Sequence, residues 1–252
     1  MNEINYYQEF EKQIKNADAE IESTGRKPTL LLQACCCPCS SHCLEVLTSH
    51  FDVTVFFYNP NIDEVEEFQK RLDELYRFTK EADFALDVKV VEGPYEPEVF
   101  YAMAKGREDL PERGERCYDC YELRLRKTAE YAREHGFDYF STTLSISPYK
   151  VARWINEIGM KLESDMRESA SDIDGIPSFL FSDFKKKNGY KRSIELSEEY
   201  GLYRQDYCGC VYSRRDRDMK KKQCLFVDTV FCINMDCYIL LIKACTSGIS
   251  KV

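Results

Sequence analysis

Residues 29–39 read TLLLQACCCPC, a short apolar run that ends in a cluster of cysteines. An apolar run of this length between turn signals is typical of a buried strand, and Gly25–Pro28 form the turn before it. We therefore predict a strand over Thr29–Ala34. A helix is predicted directly after the cysteines, starting near Ser40 or Ser41, because either hydroxyl can cap a helix N-terminus.

The remaining segments alternate between strand-like and helix-like patterns. Further strands are predicted over Val53–Tyr58, Ala85–Val91, Phe137–Thr143 and Phe179–Ser182. Further helices are predicted over residues 2–22, Glu64–Ala82, Glu96–Ala104, Cys117–His135, Pro148–Leu162 and Lys191–Glu199. This alternation predicts an α/β fold, a Rossmann-like parallel sheet with helices on both faces. Ligands of such sheets bind beyond the carboxyl ends of the strands, which is where the cysteines follow the first strand.

One catalytic α/β domain is expected over residues 26–220. The chain has 252 residues, of which 44% are apolar, and this is enough to bury one sizeable core. Residues 1–25 are expected to form a helix packed on that domain, and residues 221–252 an atypical extension of unknown role.

The thirteen cysteines of the chain bear on its compartment. Residues 1–25 are charged and polar, without the apolar core of a secretory signal, so we expect a cytoplasmic location, where thiols stay reduced. The apolar stretch over 225–244 is interrupted by three charged residues, and we expect no membrane span. Clustered cysteines in such a chain indicate metal ligands or redox catalysts before structural disulfides.

Two cysteine clusters are the strongest candidates for a metal centre. Five cysteines lie within residues 35–43, and Cys117 and Cys120 form a CxxC pair. Two thiolates from each segment would suit a zinc ion or an iron–sulfur cluster equally by count. A radical enzyme that uses S-adenosylmethionine is disfavoured, because its CxxxCxxC pattern would need a cysteine where the chain has His42.

A third cluster, Cys208-Gly209-Cys210, has the spacing of a strained thiol pair. One intervening residue strains a disulfide, and strained disulfides are more oxidising and more labile. Gly209 gives the backbone the freedom to close so small a ring. On spacing alone, a redox pair is about as well supported as two ordinary thiols or two further metal ligands.

Charge is unevenly distributed along the chain. The net charge is -9, but from Lys185 to Lys222 twelve Lys or Arg stand against six Asp or Glu. Aromatic residues are interleaved with lysines and an arginine over residues 184–192, a composition that can bind phosphates and stack an exposed base. Without further context, a solvated loop is the more ordinary interpretation.

Taken together, these motifs resemble the QueH-type epoxyqueuosine reductases. The order of CCxPC, CxxC and YCGC along the chain is similar to that of the family, over about residues 28–217. The resemblance also includes FYNPNI at 57–62, STTLSISP at 141–148, FKKKNGY at 184–190 and the longer stretch YCGCVYS around the third motif at 207–213.

The resemblance implies a fold related to the adenine-nucleotide α-hydrolases, with a metal cluster at the carboxyl end of the sheet. It implies a two-electron reduction of the epoxide of epoxyqueuosine at the wobble position of tRNA, the last step of queuosine biosynthesis, without cobalamin. The partners would be the anticodon arm of that tRNA and an electron donor that the sequence does not identify.

By position, the resemblance also implies roles for seven cysteines. The family's ligands of a [4Fe-4S] cluster correspond to Cys35, Cys36, Cys117 and Cys120. A redox-active disulfide of the family corresponds to Cys208 and Cys210. Cys39 matches a further motif cysteine that would serve an additional iron. The chain departs from the pattern at Cys37, which adds a competing thiol, and beyond Lys222, where the resemblance ends.

Two other functions remain open on the residues alone. In a zinc-stabilised binding module, the same four cysteines would be purely structural. In a thiol–disulfide oxidoreductase without metal, Cys117 with Cys120 or Cys208 with Cys210 would react. Colour and metal analysis distinguish these classes, because an iron–sulfur protein is brown whereas zinc is colourless.

Overall fold

The computed structural model describes residues 4–170 and 175–222. By their contacts, the described residues form two compact units, which are divided between Gln205 and Asp206, whereas the sequence predicts that the catalytic domain extends to residue 220. Beyond residue 222, the predicted extension lies outside the described residues. Among the described residues, no helix is both long and apolar enough to cross a bilayer.

The first unit is built on a five-stranded sheet in the order β3-β2-β1-β4-β5. All neighbouring strands pair in parallel. The strands are β1 (Thr29–Gln33), β2 (Asp52–Phe57), β3 (Lys89–Glu92), β4 (Tyr139–Thr142) and β5 (Ser178–Phe179). The predicted parallel sheet is confirmed, and the carboxyl ends of its strands meet at one edge.

Helices cover both faces of this sheet, as the sequence predicts. They are α1 (Tyr6–Thr24), α2 (Cys37–Leu47), α3 (Val65–Glu81), α4 (Pro97–Ala104), α5 (Glu115–Glu134), α6 (Ala152–Ser169) and α7 (Gly189–Glu199). Leu30 and Leu32 of β1 belong to a core with residues of α1, α2 and α3. Leu31 points to a second core, formed with α5 and α6. Successive strand residues face opposite sides, so an uninterrupted apolar strand requires two apolar layers.

Helix α2 begins at Cys37, not near Ser40 as predicted. Cys36 is extended, with φ -170° and ψ 158°, and occupies the N-cap position without a side-chain capping hydrogen bond, while Pro38 lies in the first turn. Proline is tolerated there because the first amide groups of a helix have no partner within the helix. The cysteine motif is therefore partly helical, which decides the directions of its side chains.

Most other elements also differ from their predicted bounds by one or more residues, β3 and α6 among them. The strand expected over Ala85–Val91 starts only at Lys89, because the chain first makes a three-ten turn in which the Ala85 amide bonds to the Ala82 carbonyl at 2.8 Å. Helix α6 continues to Ser169, well past the predicted end at Leu162. Leu162 is its last buried residue. The residues after it are mostly polar and exposed, so they lack the apolar periodicity from which a helix is predicted.

Candidate metal centre

The turn between β1 and α2 carries the first cysteines of the candidate centre. The Ala34 amide bonds to the Phe56 carbonyl at 3.0 Å and extends the ladder with β2 by one residue. Cys35 and Cys36 then follow at the carboxyl end of the sheet, and Cys39 lies in the first turn of α2. The local chain path thus brings three thiols to one edge.

The sulfurs of Cys35, Cys36 and Cys39 all lie within 4.8 Å of one another. The Sγ atoms of Cys35 and Cys36 are 3.7 Å apart. Cys35 and Cys36 are buried, and Cys39 is half-buried. Thiolates are soft ligands that suit zinc, copper(I) and iron–sulfur clusters, so the donor set fits a metal centre of that kind.

Among the three cysteines of this group, Cys35 is the one whose pKa is lowered. Hydrogen bonds with Cys36 and Cys39 hold the pKa of Cys35 well below its usual value, and the charges of Arg124 and Arg71 act in the same direction. The hydrogen bond with Cys35 raises the pKa of Cys36 to about 12. Both arginines are buried, and buried cations beside thiols suit a site that gathers negative charge.

The CxxC pair is on α5, which packs against β1. Cys117 is half-buried and packs against the apolar cluster that contains Cys35 and Cys36. Cys120 is buried, with 9% of its surface exposed. Within the described part of the chain, neither belongs to the group of sulfurs within 4.8 Å. The convergence of Cys35 and Cys36 with Cys117 and Cys120 on one metal centre stays a prediction.

Cys37 and Cys43 lie on the other side of the motif. Both are fully buried in the core formed with α1 and α3, apart from Cys35 and Cys36. Burial raises the pKa of both thiols well above their usual value. The extra thiol of Cys37 therefore packs in a different apolar cluster from the one that contains Cys35 and Cys36.

Sequence analysis missed a buried polar group beside the cysteines. Its members are at most 3% exposed and are hydrogen-bonded to one another: Gln33, Asn59, Arg124 and Thr142. The one sequence feature that could have indicated this group is Gln33, a polar residue at the end of an otherwise apolar strand. Its partners come from distant parts of the chain, so their proximity has no sequence pattern.

The basic FKKKNGY loop lies against the helix that carries Cys39. Lys187 and Asn188 have left-handed backbone conformations, with φ 48° and 65°, and α7 begins immediately afterwards. Arg192 of α7 donates to Glu45 of α2 at 2.6 Å. His42, one helical turn before, lies 3.0 Å from the same Glu45 carboxylate. The Arg192–Glu45 contact holds α7, which follows the loop directly, against α2.

The CGC segment belongs to the second unit and has the geometry of a thiol pair. The Sγ atoms of Cys208 and Cys210 are 3.5 Å apart, longer than the roughly 2.05 Å of a disulfide bond, so they are two thiols in contact. Gly209 has φ 110°, a conformation that favours glycine. The Cys208 amide donates to Ser213 Oγ at 2.8 Å, and residues 211–222 are helical.

The model of the family described as epoxyqueuosine reductase QueH matches residues 30–216. This chain belongs to the QueH family. The epoxyqueuosine reductase QueH of Staphylococcus epidermidis is 38% identical over 85% of the chain and 88% of the relative. That of Streptococcus pyogenes is 41% identical over 77% of the chain and 73% of the relative.

Among solved structures, the chain is similar to the U34-tRNA thiolase NcsA from Methanococcus maripaludis with its [4Fe-4S] cluster. The identity is 14% and the TM-score 0.45, over 81% of this chain and 68% of the thiolase. Membership of the QueH family is shown by the family match and the relatives above.

Gly189 sets how closely the loop of this QueH protein approaches α2. A Cβ at this position would lie 1.9 Å from the Phe184 carbonyl oxygen and 2.8 Å from the His42 ring. We expect Gly189→Ala to lower the free energy of unfolding by about 3 kcal/mol, the upper end for overpacking, because the obstructing atom is backbone. Urea denaturation measures this.

The matched control for this substitution is Gly136→Ala. Gly136 has φ 68° with no atom within 4 Å of a Cβ, so only backbone strain of about 1 kcal/mol is expected. Equal stability of the Gly189→Ala protein and the wild type would contradict the packing described here.

Proposed function

We propose that the cysteine centre of this chain carries out the reaction for which its family is named. The protein reduces the epoxide of epoxyqueuosine to queuosine at the wobble position of tRNA, in the cytoplasm, as the last step of queuosine biosynthesis. The observation that carries the proposal is the group of three sulfurs at the carboxyl end of β1 in a chain matched by the QueH family from residue 30 to 216.

The residues proposed to hold a [4Fe-4S] cluster are Cys35, Cys36, Cys117 and Cys120. The soft donor set fits such a cluster, and the buried charges of Arg71 and Arg124 offset those of the thiolates. When bound, the cluster supplies electrons one at a time to the substrate. Cys39, the third sulfur of the group, is proposed to serve an additional iron beside it.

The thiols of Cys208 and Cys210 are proposed to carry the two-electron part of the reaction. Converting an epoxide to an alkene consumes two electrons and two protons and releases the oxygen as water. A pair of thiols that closes to a disulfide gives up two electrons and two protons, so the balance is met once per turnover. An external electron donor must then return the disulfide to two thiols.

The decisive experiment is the reduction of tRNA that contains epoxyqueuosine by the anaerobically purified protein with a chemical reductant. We expect a brown protein that contains iron and sulfide and converts the modified nucleoside to queuosine. A colourless protein with bound zinc, or a brown protein that leaves the epoxide intact, would contradict the proposal.

The basic loop is proposed to hold the backbone of the anticodon arm. Lys185 reaches the Ser145 carbonyl at 3.2 Å, just beyond β4, and Lys186 and Lys187 are exposed. We expect replacement of all three lysines by Ala to raise the Michaelis constant for tRNA. It should also reduce the log–log slope of binding against salt concentration by up to about 2.7, since each of three phosphate contacts contributes about 0.7–0.9.

A charge-matched control replaces three lysines at the other edge of the sheet by Ala: Lys27, Lys80 and Lys89. This control should leave the salt slope unchanged. Reduction of the free epoxide nucleoside should be similar in both variants, because phosphate contacts position the polymer without touching the reacting ring. An unaltered salt dependence of tRNA binding in the loop variant would mean that these lysines do not contact the tRNA and belong to an ordinary solvated loop.

A further inference from the structure

Arg124 is the centre of the buried polar group beside the cysteine turn. Its side chain is on α5 and only 3% of its surface is exposed. Nη2 of Arg124 donates to Asn59 Oδ1 at 2.8 Å and lies 3.5 Å from Gln33 Oε1. Thr142 Oγ1 donates to the same oxygen of Gln33 at 2.8 Å. Burying a guanidinium costs free energy unless it is well hydrogen-bonded, and this cost suggests that the buried Arg124 serves a function.

The two amides that contact Arg124 also hold the peptide before the first cysteine. Asn59 Nδ2 donates to the Ala34 carbonyl at 2.8 Å. Gln33 Nε2 donates to the same carbonyl at 3.1 Å and to the Tyr58 carbonyl at 3.0 Å. The Ala34 carbonyl is therefore fixed from two sides, and Cys35 is attached directly to it.

Arg124 shares a helix face with the CxxC pair. Positions 117, 120 and 124 differ by three and by seven residues, and residues at these spacings lie on one side of an α-helix. Through Asn59 and Gln33, α5 is thus connected to the end of β1. One side chain links the segment that carries Cys117 and Cys120 to the segment that carries Cys35.

We propose that Arg124 is a positioning residue that locks the two cysteine segments together and places a permanent positive charge beside their thiolates, so that the centre they hold is easier to reduce. This inference rests on the proposed function, since it concerns the cluster that these cysteines bind. Reduction adds an electron to the centre. A nearby cation stabilises the added charge far more in a buried site than in water, and arginine keeps its charge at every physiological pH.

The test is a spectroelectrochemical titration of the anaerobically purified holoproteins, followed by visible absorption. We expect Arg124→Gln to lower the equilibrium constant for one-electron reduction about tenfold or more, which equals about 59 mV. Arg124→Lys keeps the charge and should recover most of this change. Arg126→Gln is the control on the same helix, because its side chain is 44% exposed and paired with Glu122, where solvent screens its charge.

A potential of Arg124→Gln equal to that of the wild type would overturn the inference. An Arg124→Gln protein that keeps its melting temperature but binds less iron would support the proposal that Arg124 holds the two cysteine segments together. Should this variant not fold, Asn59→Asp sets a carboxylate against the same guanidinium and is expected to lower the reduction constant, and an unchanged constant there would overturn the inference. A wild-type protein without a cluster would instead contradict the proposed function itself.

Discussion

Replacement of Cys36 by Ala is expected to abolish cluster binding and, with it, reduction of epoxyqueuosine in tRNA. The Cys36 sulfur belongs to the group within 4.8 Å, in a buried turn where water cannot replace a missing thiolate. The loss of activity should exceed about a hundredfold, the upper range for residues that only support a metal ligand. Iron and sulfide content, visible absorption and turnover measure the effect.

The neighbouring residue provides a matched control. Cys37 is fully buried in the core with α1 and α3, so Cys37→Ala should keep the iron and lose about 1 kcal/mol of stability from the removed sulfur. Loss of the cluster in Cys37→Ala, or a normal cluster in Cys36→Ala, would contradict the assignment of the two sides of this motif.

Variants of Cys39 and Cys120 distinguish two possible sets of cluster ligands. If the cluster has the proposed ligands, Cys120→Ala loses it, whereas Cys39→Ala keeps its absorption and loses the additional iron alone. The opposite result would make the three sulfurs of the turn the main ligands. Metal content per protein, measured for both variants in parallel, distinguishes the two sets.

The parallel pairing of the strands and the edge that carries the site follow from local patterns in the sequence. The apolar run of β1 requires a core on each face, and helices between the strands require parallel pairing with crossovers. Motif order along the chain was sufficient for the family resemblance. These properties depend on residues that are close in sequence, which is why they are predictable.

The direction of each cysteine in the first motif was not predictable in the same way. With the helix expected to start near Ser40, Cys37 and Cys39 had no assigned face. Once α2 begins at Cys37, the Cys37 side chain is fully buried in the core with α1 and α3, whereas the half-buried Cys39 places its sulfur with those of Cys35 and Cys36. An error of three residues at the start of the helix thus left the packing environments of Cys37 and Cys39 unpredicted.

The buried position of Arg124 and its hydrogen bonds could not be predicted from sequence patterns. Its hydrogen bonds join residues 33, 59 and 124, which are brought together only by the assembled sheet. A buried arginine within a helix that contains many charged residues resembles an ordinary surface residue in the sequence. Only the three-dimensional arrangement distinguishes it from exposed Arg126 on the same helix.

Replacement of Cys208 or Cys210 by Ser is expected to stop repeated turnover while leaving the metal centre intact. Their sulfurs are in contact at 3.5 Å within the second unit. With a serine in place of either cysteine, the pair cannot close to a disulfide and so cannot give up two electrons. The rate of multiple turnover should fall about a hundredfold or more, the scale on which loss of a proton-transferring group acts.

Three further measurements decide what this pair does. Cluster absorption should match the wild type, and the melting temperature should change by less than about 3 °C, which corresponds to about 1 kcal/mol in a chain of this size. Cys224→Ser, at a position outside the described residues, removes one thiol by the same substitution and should turn over normally. Simultaneous loss of the cluster in Cys208→Ser would show that Cys208 is a metal ligand. Normal multiple turnover without either thiol would mean that both electrons reach the epoxide by another route.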